Sequence, residues 1–106
     1  MWNLSLKKPP ATTLLVSDMI IGVAIRNDKI VVKLPSPNRH HHCFAYLKEL
    51  GIHATKQGIG LRADDQGFYT HTGRYLNREQ AYKYVKRVKQ KHDPNARKYL
   101  FSEDLW

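Results

Sequence analysis

At 106 residues, 42% of them hydrophobic, the chain has room for one domain with a small core and not for two. Its formal net charge of +9, from 18 Lys and Arg against 9 Asp and Glu, favours anionic partners: nucleic acid, nucleotides, an acidic protein or an anionic membrane surface. A single cysteine, Cys43, excludes an intramolecular disulfide and a cysteine-rich zinc site and fits a reducing compartment. No run approaches the roughly 18 apolar residues that a membrane span needs, so no membrane partner is expected.

Residues 1–18 mix prolines, threonines and lysines without period and lack a small-residue cleavage pattern. They read as a loosely ordered extension and not as a signal peptide, with one domain over residues 19–106. From Met19 the chain runs Ile20 to Ile25, then Asn27-Asp28-Lys29, then Ile30 to Val32. β-branched residues on both sides of a polar turn predict a hairpin, stopped by Pro35 and Pro37. Asn38 is expected to cap a helix from Arg39 to about Leu50, closed by Gly51, with Cys43, Phe44, Leu47 and Leu50 facing the core. Residues 52–65, with Gly58 and Gly60, read as a loop or an irregular strand. Gln66–Thr70 predicts a strand, Thr72-Gly73 a turn and Arg74–Leu76 the return. Asn77 with Gln80 three residues on predicts a capping box opening a second helix, with Ala81, Tyr84, Val85 and Val88 as its apolar stripe and Asp93-Pro94 as its end. The tail from Asn95 to Trp106 carries Tyr99, Leu100, Phe101, Leu105 and Trp106, too many large apolar groups for a disordered end, so it should dock on the domain or on a neighbouring subunit. The pattern predicts an α+β fold: a small antiparallel sheet of hairpins, two α-helices and a docked C-terminal tail, oligomeric.

Three groups of residues could carry chemistry. In His40-His41-His42, adjacent helical side chains point about 100° apart and cannot chelate one metal from a regular helix, so no metal site is expected. One reading puts a single histidine on the core face and the others in solvent. The favoured one puts Arg39 and one or two of the histidines at an exposed helix N-terminus, where backbone N–H groups and cationic side chains attract phosphate. The second group is Phe68, Arg74 and Arg78 near the second helix cap, either a purely structural hairpin or a place to hold a base and its phosphate. The third is the basic surface between Arg78 and Lys98, eight Lys or Arg against two acidic residues, suited to a nucleic-acid backbone or to smaller anions. Asp64-Asp65 lacks a partner acid, and Cys43 lies on an apolar helix face, so the chain reads as a binder with no cofactor and not as an enzyme.

Taken together, Leu34-Pro35-Ser36-Pro37-Asn38-Arg39-His40-His41, the block Gln66–Thr70 with Gly73–Ala81, and Leu100-Phe101-Ser102-Glu103-Asp104-Leu105-Trp106 resemble a family of small bacteriophage proteins, the first class of Thoeris anti-defence proteins. These are cyclic-nucleotide sponges. The resemblance covers residues 19–106, and His42 departs from the pattern. It implies a non-enzymatic protein, acting in the cytoplasm of the infected bacterial host, that sequesters a cyclic ADP-ribose isomer or a related cyclic nucleotide as a dimer or larger homo-oligomer. Carried over, the ligand-binding positions are Arg39 and His40, Phe68 for base stacking, Arg74 and Asn77 around the second cap, and Arg97 in the tail, with Lys98 as the alternative there. The competing reading from charge alone is a small nucleic-acid-binding phage protein.

Overall fold

A bulge decides which side chains of the first strand reach the core. In the computed structural model, which describes residues 18–106, β1 (Ile20–Arg26) pairs antiparallel with β2 (Val31–Pro35) and with β3 (Gln66–Thr70). The β1–β3 register shifts between Ile20 and Gly22. Ile20 and Val23, three residues apart, can therefore both turn inward, which a strict period of two would forbid. β4 (Tyr75–Asn77) completes a four-stranded antiparallel sheet in the order β2-β1-β3-β4. The first hairpin is closed by Asn27, whose Oδ1 accepts from the backbone N–H groups of Lys29 (2.8 Å) and Ile30 (2.7 Å). The extension read over residues 1–18 lies, apart from Asp18, outside the described residues.

Two longer helices, α1 (His40–Glu49) and α3 (Arg78–Val88), pack on one face of the sheet. Val23, Ile25, Phe68 and Leu76 from the strands meet Cys43 and Leu47 of α1 and Ala81, Tyr84 and Val85 of α3. The α+β architecture with two main helices is as the patterning predicts. The α3 cap is as well: Asn77 Oδ1 accepts from the Gln80 N–H at 2.8 Å, and Gln80 Oε1 accepts from the Asn77 N–H at 2.9 Å.

Three boundaries differ from the sequence reading. Arg39, not Asn38, is the N-cap of α1; Asn38 instead donates to the Pro35 carbonyl at 2.7 Å, and the Arg39 N–H is taken by His42 Nδ1 at 2.8 Å. Leu50 sits beyond the helix end, 56% exposed, and Ile59 is fully buried in the core. α3 stops at Val88, well before Asp93-Pro94. Lys89 takes a left-handed conformation (φ 59°), and the Gln90 side chain is pinned to the sheet by bonds to both the N–H and the carbonyl of Ile20. The segment left open over 52–65 holds a one-turn helix α2 (Ala54–Gln57) and a 3₁₀ turn, Ala63–Asp65. Gly60 (φ 69°) lies so close to the Phe44 ring that a Cβ would stand 2.7 Å from it.

The tail docks on the domain. The Leu100 N–H donates to the Arg78 carbonyl at 3.0 Å, the Leu100 side chain is fully buried, and Trp106 Nε1 donates to the Asn38 carbonyl at 2.9 Å. It thus crosses from the start of α3 to the approach to α1, and it builds the surface described next. No helix among the described residues is long and apolar enough to cross a membrane.

Candidate functional site

Where the tail passes the start of α3, its side chains alternate: Leu100 and Ser102 are buried, while Tyr99 and Phe101 are each 46% exposed. With Leu100 buried between them, the two aromatic rings are left at the surface. Two cavities meet at these rings. One, of about 280 Å³, lies between Asp64, Asn77 and Arg78 on one side and Tyr99 and Phe101 on the other. The second, of about 290 Å³, continues past the same rings to Arg97, Lys98 and Asp104. Each falls just short of the roughly 300–1,000 Å³ typical of small-molecule sites.

Charge is distributed unevenly over this cleft. In the first lobe the Arg78 guanidinium sits 4.9 Å from the Phe101 ring centroid, donates through Nη1 to Gln66 Oε1 at 2.8 Å, and keeps a buried Nε without a hydrogen-bond partner. Burial draws its pKa below the ordinary arginine value. Asp64 and Glu79 are the carboxylates of this lobe, and Asp64 Oδ1 accepts from Asn77 Nδ2 at 3.3 Å. In the second lobe Arg97 and Lys98 face one carboxylate, Asp104, and the Lys98 ammonium lies 5.3 Å from the Tyr99 ring.

The structure gathers some of the residues singled out from sequence and separates others. Asn77, Arg97 and Lys98 line the cleft. Arg74 does not; it lies 5.6 Å over the Tyr84 ring, in a separate groove with Lys83 and Arg87. His40 is buried and not exposed as expected: it is 8% exposed, donates Nε2–H to the Gly67 carbonyl at 2.7 Å, and meets Phe68 edge-on with ring centroids 5.2 Å apart. Burial, with Arg78 nearby, pushes its pKa down to about 4, so the ring is neutral at physiological pH and cannot act as a phosphate-binding cation. This is the arrangement with one histidine on the core face; His41 and His42 are exposed. Among the described residues no group of His, Cys, Asp and Glu is placed to hold a metal ion.

Phe68, expected to stack on a base, is buried as well. It is 0% exposed, enclosed by His40 and by Trp106 (centroids 6.3 Å), so it offers no open ring face to a base. Arg39 is half-buried, with an Nη1 that has no hydrogen-bond partner. Sequence reasoning did not single out Tyr99 and Phe101 as candidates, and it grouped Arg78 with Phe68 and Arg74 near the second helix cap.

A larger groove of about 440 Å³ adjoins the first hairpin turn and is lined by Lys29 and Arg62 with Asp28 and Asp65; Arg62 pairs with Asp65 at 2.8 Å and with Asp28 at 3.6 Å. Arg26 joins the same carboxylate at 3.5 Å. The Arg62 hydrogen bond holds the Asp65 carboxyl below the usual range, which makes Asp65 an anchor for this loop.

Residues 19–106 match the family described as the phage T4 y16D protein, and the chain belongs to that family. No curated protein and no solved structure matches it.

Proposed function

For a phage protein of the y16D family with this cleft, we propose a role in capture: it binds a cyclic ADP-ribose isomer, or a related cyclic nucleotide, and holds it unbroken. In the infected bacterium this withholds an immune signal from its effector. The observation that supports the reading is the two-lobed cleft itself, in which two exposed aromatic rings stand between a mixed-charge lobe and a basic one.

The chemistry divides the ligand between the lobes. Phosphates go to Arg97 and Lys98, where charge-assisted hydrogen bonds are available; the carboxylates of Asp64 and Glu79 repel them from the first lobe. Those same carboxylates, with the Asn77 amide, suit ribose hydroxyls and the exocyclic amino group of a base. The base lies against Tyr99 or Phe101. Recognition by stacking and charge stabilises the bound ground state, which is what sequestration requires; turnover requires stronger contacts in a transition state. Both lobes are open to solvent in one chain, and a second copy covering the tail would bury the ligand's remaining surface and raise affinity.

The test is to incubate the purified protein with a panel of cyclic nucleotides, remove free ligand, heat the complex and chromatograph what is released. Intact cyclic ADP-ribose isomer or cyclic oligonucleotide is the expected product. Retention of nothing, or release of a cleaved product, rejects capture without turnover.

A further inference from the structure

Because α1 and α3 share one face of the sheet, the other face presents its own side chains; among the described residues the 3₁₀ turn Ala63–Asp65 lies against its β4 edge, where the Tyr75 hydroxyl donates to the Asp64 carbonyl at 2.8 Å. The register puts Lys33 of β2, Arg26 of β1, Tyr69 of β3 and Tyr75 of β4 on that side, opposite Val23, Ile25, Phe68 and Leu76. Tyr69 and Tyr75 are direct cross-strand partners. The row between them and Lys33 is nearly bare: Gly22, Ala24 and Gly67 are its residues, all buried. The sheet itself demands both glycines, since a Cβ at Gly22 would collide with the Leu34 carbonyl and the Tyr69 ring, and one at Gly67 with the Leu76 carbonyl. The consequence is that Tyr69 lies down over Gly22 and the face stays flat.

Each tyrosine has a cation on its ring. The Arg26 guanidinium is 4.0 Å from the Tyr75 centroid, and the Lys33 ammonium is 5.5 Å from the Tyr69 centroid. Arg26 is shared with Asp65 at 3.5 Å, so Lys33, held only by the Gly73 carbonyl at 3.4 Å, is the freer charge. Two adjacent rings for stacking, cations beside them and a flat floor are what an unpaired strand of nucleic acid recognises; a duplex hides its base faces and gains only the phosphate contacts. We infer that the open face of the sheet, centred on Tyr69, Tyr75 and Lys33, binds single-stranded nucleic acid, at a site separate from the tail cleft. None of these three residues lines that cleft, though the Tyr75 hydroxyl donates to the carbonyl of Asp64, which does.

Fluorescence anisotropy of the full chain with labelled oligo-dT and oligo-U of about 12 nucleotides, against a duplex of equal length, tests this. Single strands should bind more tightly than the duplex. Tyr69→Ala should weaken single-strand binding by roughly five- to a hundred-fold, while Tyr69→Phe keeps it. Lys33→Glu should weaken it and lower the salt slope by about one unit or more. Phe101→Ala, in the cleft, should leave it unchanged. Equal or tighter duplex binding overturns the platform, as does wild-type binding by Tyr69→Ala. If Tyr69→Ala fails to fold because Gly22 is uncovered, undiminished binding by the exposed Lys33→Glu variant overturns it instead. Loss of oligonucleotide binding in Phe101→Ala would move the strand to the cleft and likewise reject the inference.

Discussion

Replacing His40 by glutamine should flatten the pH dependence of stability between about pH 7 and about pH 5, because in the wild type this ring resists protonation only while the chain is folded. It is 8% exposed, bonded to the Gly67 carbonyl and packed against Phe68, and its folded pKa is about 4 against an ordinary 6.5. The sign follows from that order. Below about pH 6.5 the unfolded chain takes up a proton that the native chain refuses, so stability is full above that pH and declines until about pH 4. A group with these two values loses about 2 kcal/mol between about pH 7 and about pH 5, from a limiting slope of about 1.4 kcal/mol per pH unit. The Asp65 carboxyl, held below its usual range by Arg62, adds its own loss only at lower pH.

Urea denaturation of the wild type and His40→Gln at both pH values measures the difference directly, since every other titrating group is common to the two chains. Glutamine can still donate to the Gly67 carbonyl but cannot protonate. It should cost about 1 kcal/mol at neutral pH through poorer packing. It should then show about 2 kcal/mol less acid destabilisation than the wild type. If both proteins lose the same stability between the two pH values, His40 is not the buried neutral ring described, and the reason for removing it from the ligand site fails with it.

Three further outcomes are expected. Tyr99→Ala and Phe101→Ala should each weaken cyclic-nucleotide binding by about 1–3 kcal/mol, roughly one to two decades, with an unchanged thermal midpoint, as read by calorimetric titration and a melting scan. Phe68→Ala should instead remove about 3–5 kcal/mol of folding stability; a variant that melts like the wild type yet loses the ligand would return Phe68 to the site. Light scattering at micromolar concentration should give a multiple of the 12.4 kDa chain mass, and a monomer throughout would leave the cleft without the second copy invoked to close it.

What the sequence made legible was local chemistry. The Asn77–Gln80 box, the Asn27 turn and the Ala81-Tyr84-Val85 stripe each depend on residues within one or two turns, and each occurs where spacing predicts it. The end of α3 was not legible, because Gln90 is held by Ile20, seventy residues away in the chain. Burial was not legible at neighbouring residues whose parity hydrophobicity alone leaves open. Phe68-Tyr69 and Tyr99-Leu100-Phe101 are apolar on both parities, so a period of two cannot say which ring faces in. Helix phase does better for His40, which stands three residues before Cys43 and seven before Leu47 and so shares their buried face. For the strand pair, the polar atom supplies the missing rule. Phe68 has nothing to hydrate and goes in; Tyr69 carries a hydroxyl and stays at the surface. Phe101 breaks that rule, remaining 46% exposed although the more polar Ser102 beside it is buried, and the Arg78 guanidinium lies over its ring. An aromatic ring left at the surface between a guanidinium and a cavity departs from the ordinary hydrophobic sorting of the tail. That departure is the physical reason for placing the ligand there.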